Sequence, residues 1–349
     1  MKIVVTGASG NVGLGVLRAF AADSEDHSVV GICRRPPDPV APFDAVTWHA
    51  CDLGSDDAPD VLDEAMADAD AVVHLAWMFQ PIRQGQRLHR TNYKGTVAVL
   101  EAARRARVPH VVHGSSIAAY APAGEHPVDE TWPTTGVPGS VYGCGKVEVE
   151  AMLRRFAAQN PDIAVAVIRP TLVAQRAASA SFLALFFDPV VPQWSIRLLR
   201  DGKVPLLPLP HGLEVQLVHA DDVGDAVLRI VQRRATGAFN LAADTLDAAG
   251  LAALVQARAV ELPGIVMRSA VGVLWRLRLV GLSPGWFDVG TRSPLVDTSR
   301  ARAELGWAPR KNSTDCAREQ LAGLADAAPG PSAALRRDRL KDAGTARLT

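Results

Sequence analysis

Short apolar runs alternate with segments of helical periodicity over the first half of the chain. Lys2–Thr6 is short, apolar and rich in β-branched residues, as buried parallel strands are, and Val12–Ala22 then repeats apolar residues on one helical face. The alternation continues with strands over Val29–Cys33, Val46–Cys51, Ala71–Leu75, His110–Gly114 and Val165–Arg169, and with helices over Ala58–Asp68, Thr91–Arg107 and Val141–Gln159. Strands that alternate with helices imply parallel βαβ units. The pattern therefore predicts the α/β class and a Rossmann-type, doubly wound parallel sheet.

Beyond Pro170 the rhythm changes. Residues 177–194 are apolar and aromatic and residues 204–211 contain three prolines, whereas residues 216–232 and 237–241 resemble a return to the sheet. We therefore predict a smaller, discontinuous α/β substrate domain beside the domain of the central sheet. The predicted boundaries are 1–174 plus 215–244 for the Rossmann-type sheet domain, 175–214 plus 245–325 for the substrate domain, and 326–349 for a flexible tail.

Total charge and cysteine content narrow the function classes. The 349 residues carry 37 basic and 37 acidic side chains, so the net charge is zero and gives no general attraction to nucleic acid or to a membrane; we expect neither as a partner. The four cysteines stand far apart without a CxxC pair, so we expect neither a bound metal nor a disulfide framework. Without a visible secretory signal or an apolar stretch of about 18–20 residues, the sequence is typical of a cytoplasmic enzyme.

A glycine-rich segment joins the first predicted strand to the first helix, and it reads Thr6-Gly7-Ala8-Ser9-Gly10-Asn11-Val12-Gly13. Gly7 permits a tight turn, Gly10 lets the backbone approach a pyrophosphate, and Gly13 lets the helix lie close to the sheet. The helix N-terminus offers unpaired N–H groups and the positive end of its dipole to an anion. This spacing in this context predicts a dinucleotide site.

The choice between NAD and NADP depends on the residues that end the second strand. An Asp or Glu there would accept hydrogen bonds from both ribose hydroxyls and repel a 2′-phosphate. The chain has Arg34 and Arg35 at this point and no acid before Asp38. Two guanidiniums suit a phosphate dianion, so we predict NADP rather than NAD, with a solvated surface pair as the alternative. Asp52 and Leu53, after the third strand, are expected to border the adenine.

Tyr142 and Lys146 are four residues apart at the start of a predicted helix, which places both on one face. Ser115 and Ser116 end the fifth strand, where ligands bind in open α/β sheets. A free tyrosine titrates near pH 10, but a neighbouring ammonium and a positively charged nicotinamide would favour the phenolate. The constellation predicts a proton-transfer site; the alternatives are a helix-surface pair for Tyr142 and Lys146 and a plain strand-end hydroxyl for Ser116.

Together these motifs resemble an extended short-chain dehydrogenase/reductase of the NAD-dependent epimerase/dehydratase family. The resemblance covers about residues 1–325. It rests on residues 6–13, 52–53, 74–76, 91–96, 115–120, 142–146, 169–170, 219–223, 239–241 and 305–309. It implies that Tyr142 is the general acid/base, Lys146 its electrostatic partner, and Ser116 rather than Ser115 the hydroxyl that binds the substrate carbonyl.

The resemblance also implies a cofactor site and an assembly. With Arg34 and Arg35 from the argument above, the predicted cofactor-binding residues are Gly7, Ser9, Gly10, Asn11, Val12, Gly13, Arg34, Arg35, Asp52, Leu53, Leu75, Ala76, Asn92, Tyr142, Lys146, Pro170 and Val173. The helices over 91–107 and 141–159 are implied as the interface of a homodimer.

The chain departs from the family pattern at several positions. Gly145 stands where the family often has Ser or Thr, and the Asn-x-Tyr-Gly-Pro segment of nucleotide-sugar members does not follow Arg169-Pro170. Gln216 stands where many of those members carry an arginine. The Asp-Glu pair of dehydratases is replaced by Ile117-Ala118, so we do not expect dehydration.

Three functions remain open. The first is an NADP(H)-dependent carbonyl reductase or alcohol dehydrogenase acting on a small, fairly apolar metabolite. The second is a nucleotide-sugar epimerase that retains its cofactor, and the third is a non-catalytic NADP-sensing protein, in which a broken YxxxK would be expected. Trp77, Met78 and Phe79 are expected to contact the substrate, whereas His113 and His219 are expected to be structural. A second apolar set either lines the substrate pocket or packs in a core: Phe182, Leu185, Phe186, Phe187 and Trp194.

Overall fold

The structure, a computed structural model, describes residues 1–79, 85–124, 126–187 and 191–336. Within these ranges the strands are β1 (Lys2–Thr6), β2 (Ser28–Cys33), β3 (Val46–Ala50), β4 (Ala71–His74), β5 (His110–Gly114), β6 (Ala164–Pro170), β7 (Leu172–Ala174), β8 (Leu206–Pro210), β9 (Glu214–His219), β10 (Gly237–Leu241), β11 (Thr245–Asp247) and β12 (Arg258–Leu262). The α-helices are α1 (Asn11–Ala21), α2 (Ala58–Met66), α3 (Gly85–His89), α4 (Gly95–Arg105), α5 (Val141–Gln159), α6 (Ser179–Phe186), α7 (Gln193–Arg200), α8 (Ala220–Arg233), α9 (Ala248–Leu254), α10 (Gly264–Arg276), α11 (Pro284–Arg292), α12 (Ser299–Leu305) and α13 (Ser313–Asp326).

A parallel sheet lies at the centre, with the strand order β10-β6-β5-β4-β1-β2-β3. Successive side chains of β1 enter different cores: Ile3 and Val5 pack with α1 and α8, whereas Val4 packs with α2, α4 and α5 on the other face. A sheet covered on both faces needs apolar residues throughout its strands, which is why these strands are apolar runs in the sequence. The predicted Rossmann-type fold class is confirmed.

The helix predicted over Thr91–Arg107 differs in its first part. A turn of π-helix, Arg90–Lys94, joins α3 to α4. The Thr96 hydroxyl donates to the carbonyl of Asn92 at 2.6 Å and so competes for an acceptor that a regular helix would use. Single π-turns within helices often accompany functional sites.

Two small sheets lie outside the central one. β7, β9 and β11 form a three-stranded sheet, and β8 pairs in parallel with β12. Helix α11, which also lies outside the central sheet, packs against α5 and so reaches the carboxyl edge of that sheet. Among the helices that the structure describes, none has the length and apolar character needed to cross a bilayer.

The first part of the predicted tail is packed. Leu335 is 1% exposed and belongs to the core that contains α1 and α8. The Ser332 hydroxyl donates to the carbonyl of Ser9 in the glycine-rich turn at 2.6 Å. Residues 327–336 therefore differ from the flexible segment expected from their composition, because the side chains of Leu335 and Ser332 are buried. The remaining residues of that prediction, 337–349, lie outside the described residues.

Candidate active site

The glycine-rich turn between β1 and α1 makes contacts that only glycine allows. Gly7 has a φ of +71°, and a Cβ there would lie 2.7 Å from the backbone nitrogen of Ala76, which with Leu75 follows β4. A Cβ at Gly13 would lie 2.4 Å from the carbonyl oxygen of Gly7. Gly10 is the extended N-cap of α1, and no side chain caps this helix end. The free N–H groups and the positive dipole end of α1 therefore fit an anion.

Side chains fix the turn to the neighbouring strand β7. The Asn11 amide donates to the carbonyl of Val173 at 2.9 Å, and the Gln175 amide donates to the Asn11 side-chain oxygen at 2.6 Å. Ser9 is buried, and Val12 packs against the core beneath α1. These contacts hold the turn in one conformation.

Arginines gather where β2 ends. Arg34 and Arg35 follow the strand, and Arg87 from α3 acts on the same corner. Partial burial lowers the pKa of Arg34, the charges of Arg87 and Arg35 add to this, and the Asp52 carboxylate opposes it. Leu53, beside Asp52, is buried in the core. Among the described residues, Arg34, Arg35, Arg87 and the Asp52 carboxylate thus act on one another at this end of the site.

A buried histidine ends β4. Nδ1 of His74 lies 2.7 Å from the Thr6 hydroxyl, and Nε2 lies 2.9 Å from the Thr96 hydroxyl. Burial lowers the pKa of His74 to about 3, and the Lys146 charge adds to this shift. Burial also lowers the pKa of His113, whose ring nitrogens have no hydrogen-bond partner among the described residues. Both histidines are neutral, so neither suits proton transfer near neutral pH.

Asn92 positions the loop that follows β4. Its side-chain oxygen accepts from the Met78 N–H at 2.7 Å, and its amide donates to the Met78 carbonyl at 2.9 Å. Trp77 and Phe79 flank Met78 in this loop. A Cβ at Gly145 would lie 3.3 Å from the Trp77 ring. The family departure at Gly145 therefore makes room for Trp77.

The end of β5 and the first turns of α5 bring the three predicted catalytic residues together. Ser116 lies close enough to the Tyr142 hydroxyl to act on its pKa. The Lys146 ammonium donates to the Gly114 carbonyl at 2.7 Å and lies 3.5 Å from the centre of the Trp77 ring. A ring face this close attracts a cation, so Trp77 helps to hold Lys146.

Burial dominates the ionisation of this trio. It raises the pKa of Tyr142 to about 12, although Ser116 opposes the shift. It also lowers the pKa of Lys146 well below its usual value, against the charge of Glu150. The Lys146 nitrogen is directed at Gly114 and Trp77 and lies 5.9 Å from the centre of the Tyr142 ring, so stabilisation of the phenolate by Lys146 stays a prediction. Tyr142 is a protonated phenol near neutral pH.

A buried ion pair supports the catalytic helix. Glu150 accepts hydrogen bonds from Arg169 at 3.0 and 2.6 Å, and the Ser115 hydroxyl donates to it at 2.5 Å. Arg169 also donates to the Tyr120 hydroxyl at 2.7 Å. The Glu150 and Arg169 side chains are only 2% and 6% exposed. Three residues of the recognised motifs, Ser115, Tyr120 and Arg169, therefore form a scaffold behind Lys146.

Aromatic rings enclose Tyr142. The ring centres of Phe79 and Trp286 lie 5.4 and 4.6 Å from that of Tyr142, and 6.0 Å from each other. Phe186 meets Trp286 edge-on at 5.2 Å. A cavity of about 420 Å³ opens between the loop after β4 and the start of α5. We call Phe79, Tyr142, Phe186 and Trp286 the aromatic cluster, and it gives the site an apolar wall.

All but one of the predicted cofactor-binding residues lie at the carboxyl edge of the central sheet or in the helical turns beside it; the exception, Val173, is the middle residue of β7 in the three-stranded sheet. The others are the residues of the glycine-rich segment Gly7, Ser9, Gly10, Asn11, Val12 and Gly13, the residues at or just after strand ends Arg34, Arg35, Asp52, Leu53, Leu75, Ala76 and Pro170, and the helical residues Asn92, Tyr142 and Lys146. Their contact with a cofactor stays a prediction.

Two parts of the site were missed from the sequence. Trp286 reaches Tyr142 from α11, a contact that no local pattern announces. Glu150 could have been found, because it stands four residues after Lys146 on the same helix face. Of the apolar stretch over 182–194, Phe186 joins the cluster, whereas Trp194 is 63% exposed on α7.

A parallel Rossmann sheet with a glycine-rich turn and a Ser–Tyr–Lys trio at its carboxyl edge defines an NAD(P)-dependent enzyme of the short-chain dehydrogenase/reductase type. The model of the NAD dependent epimerase/dehydratase family matches residues 3–242, and the chain belongs to this family.

Curated relatives carry out different reactions. The chain is 29% identical over 191 residues to the 4-hydroxy-2-methyl-3-oxo-4-farnesyl-3,4-dihydroquinoline-1-oxide ketoreductase of Stigmatella aurantiaca, which covers 54% of this chain and 55% of the relative. It is 27% identical over 177 residues to the UDP-glucose 4-epimerase of Yersinia pestis, which covers 48% of this chain and 52% of the relative. The chain thus matches about half the length of these relatives, and they do not decide the reaction.

Solved structures share the whole fold. The UDP-glucose-4-epimerase of Stenotrophomonas maltophila, with bound NAD and formylated UDP-arabinopyranose, has a TM-score of 0.70 at 21% identity, over 94% of this chain and 98% of that one. The UDP-glucuronic acid 4-epimerase of Bacillus cereus, in complex with NAD, has a TM-score of 0.66 at 17% identity, over 93% and 99%. At these identities the likeness establishes the fold alone.

Proposed function

We propose that the protein is an NADP(H)-dependent carbonyl reductase or alcohol dehydrogenase whose substrate carries its carbonyl on an apolar, ring-containing frame. The aromatic cluster around Tyr142 carries the proposal. Apart from the Tyr142 hydroxyl, these rings offer stacking surface and no acceptors, so they suit an apolar ketone better than the hydroxyls of a sugar. The similarity to a ketoreductase of a farnesylated quinoline points in the same direction.

The edge of the sheet fits a dinucleotide. The cradle at Gly7 and Gly13, which a Cβ would fill, and the uncapped N-terminus of α1 suit a pyrophosphate. Arg34 and Arg35, with Arg87 nearby, suit the 2′-phosphate that distinguishes NADP from NAD. When bound there, the nicotinamide would supply the hydride for reduction or accept it in oxidation.

The chain's own residues orient the substrate and supply the proton. The Ser116 hydroxyl would hold the carbonyl oxygen, and Tyr142 would donate its proton to that oxygen as the carbonyl becomes an alcohol. The raised pKa of Tyr142, about 12, keeps this proton in place until the oxygen becomes basic. The Lys146 ammonium would stabilise the phenolate left behind. A protonated tyrosine is the form that reduction of a carbonyl requires.

A nucleotide-sugar epimerase with retained cofactor is the second candidate, because a UDP-glucose 4-epimerase is among the relatives. Gln216 speaks against it, since its amide is already engaged. It donates to the Val296 carbonyl at 3.2 Å and accepts from the Val296 N–H at 2.8 Å. The intact trio of Ser116, Tyr142 and Lys146 speaks against a non-catalytic sensor.

Cofactor binding and turnover test the proposal. NADPH and NADH are titrated into the purified protein by fluorescence, with the double variant Arg34→Ala/Arg35→Ala and the exposed control pair Arg154→Ala/Arg155→Ala alongside. We expect NADPH to bind at least about tenfold more tightly, and only the first double variant to lose this preference. With aryl ketones as substrates, the protein should then oxidise NADPH. Equal binding of NADH, or epimerisation of UDP-glucose by a nucleotide locked in the isolated protein, would favour the epimerase instead.

A further inference from the structure

Helix α10 exposes a stripe of large aliphatic side chains, and none of its residues is buried. Val266, Val273 and Leu274 are 56%, 53% and 37% exposed, and Leu277, the C-cap, is 63% exposed. Their spacing places them on one side of the helix. We call these four residues the α10 stripe. A contiguous exposed apolar stripe of this kind marks an interaction surface rather than an ordinary one.

The other side of α10 is attached to α11. Arg268 pairs with the buried carboxylate of Asp288 through contacts of 2.8 and 3.0 Å. Gly272 lies against Pro284, since a Cβ on this glycine would be 3.6 Å from the proline ring. Helix α11 also carries Trp286 of the aromatic cluster. The α10 stripe is therefore held beside the wall of the active site.

The charged side chains of the segment that contains α10 all have the same sign. Residues 262–287 contain three arginines and no aspartate or glutamate, although the whole chain is neutral. Arg268 is paired with Asp288, whereas Arg276 and Arg278 form no ion pair with any residue that the structure describes. Apolar side chains flanked by free arginines are typical of helices that lie in the headgroup region of an anionic bilayer.

We propose that the α10 stripe docks the protein on the surface of an anionic lipid membrane, a partner that the zero net charge of the whole chain gave no reason to expect. A second copy of the chain fits the stripe less well, because a two-fold contact would bring the arginines of both copies together with no carboxylate from this segment between them. The inference rests on α10 and its charges and not on the proposed reaction.

Vesicle flotation of the full chain tests the docking. Vesicles of phosphatidylcholine are compared with vesicles that also contain phosphatidylglycerol, at about 0.1 M salt. We expect binding to the anionic vesicles, with about a tenfold loss of partition coefficient in Val273→Asp and in Leu277→Asp. The control Val40→Asp adds the same charge at a position that is 51% exposed elsewhere, and it should bind as the wild type does. Each of Arg276→Ala and Arg278→Ala should lose about fivefold on anionic vesicles alone.

Three results would contradict the proposal. The first is equal binding of the wild type and of the Val273→Asp and Leu277→Asp variants to anionic vesicles, and the second is that the wild type does not bind these vesicles. The third is a mass in light scattering that falls to that of the monomer in these variants, which would assign the stripe to a second copy of the chain. NADPH titrations of the same variants should match the wild type, so a failure of docking stays distinct from a failure of folding or of the proposed reaction.

Discussion

The nucleotide half and the substrate half of the site are built in different ways. Around the glycine-rich turn the backbone makes the contacts, because Gly7 and Gly13 leave no room for a side chain and α1 presents its N–H groups. Around Tyr142 the contacts come from the side chains of Phe79 and Trp286. Where the backbone is packed closely, as at Gly7 and Gly13, no larger side chain fits. Where side chains line the site, each substitution changes the shape of the site. The first half therefore holds the dinucleotide in common with the family, and the second is where substrate choice is expected to lie.

The largest effect on the reaction rate should come from a substitution that removes the proton donor and leaves the glycine-rich turn and the aromatic rings in place. Tyr142→Phe keeps the ring that stacks on Trp286 and removes only the hydroxyl near Ser116. The rate of ketone reduction should fall by about 10²–10⁴-fold, because a general acid is lost. NADPH affinity should stay within about twofold. Steady-state kinetics and fluorescence titration measure the two, and a residual rate within tenfold of the wild type would show that another group donates the proton.

The two halves should lose stability at opposite ends of the pH scale. The pKa of His74, beneath the glycine-rich turn, is lowered to about 3, so its contribution is full above about pH 6.5 and is lost as the pH falls toward 3, by about 1.4 kcal/mol per unit. The pKa of Tyr142 is raised to about 12, so its contribution is full below about pH 10 and is lost as the pH rises toward 12.

Urea unfolding as a function of pH checks this expectation. Tyr142→Phe should remove the alkaline loss of about 2–3 kcal/mol and keep the acid loss, and His74→Gln should do the reverse. Parallel shifts of the whole curve in both variants, without a change in slope at either end, would mean that other groups set the pH dependence.

The buried pair behind Lys146 supports both halves, so its removal should weaken them together. Glu150→Gln leaves the Arg169 guanidinium buried without its counter-charge, and we expect the free energy of unfolding to fall by about 3 kcal/mol. Arg154→Ala is the matched control, since its side chain is 58% exposed and only 3.7 Å from the same carboxylate; it should cost at most about 0.5 kcal/mol. A loss below about 1 kcal/mol in Glu150→Gln, measured by urea denaturation, would argue against a supporting role.

The nucleotide half could be predicted from the sequence because its signals are local. The glycines follow a β-branched strand and precede a helical pattern, and Tyr142 and Lys146 share a helix face by spacing alone. The position of Trp286 could not be predicted, because it depends on how α11 packs on α5. The π-turn at Arg90–Lys94 and the packing of Leu335 likewise depend on partners that are distant in the sequence.

The smallest expected effect is a change in KM for the ketone without a change in NADPH affinity, and it distinguishes the substrate half of the site from the nucleotide half most directly. Trp286→Leu keeps an apolar residue on α11 but removes the ring that lies 4.6 Å from Tyr142. Because an aromatic pair contributes about 0.5–1.5 kcal/mol beyond its buried area, the KM for an aryl ketone should rise by about tenfold at most. The affinity for NADPH should not change, and Trp194→Leu, exposed on α7, should leave both constants as they are. A rise in the dissociation constant of NADPH in Trp286→Leu would show that the aromatic cluster also shapes the nucleotide half. The nucleotide half, made of backbone, and the substrate half, made of side chains, would then not be separate at Tyr142, where they meet.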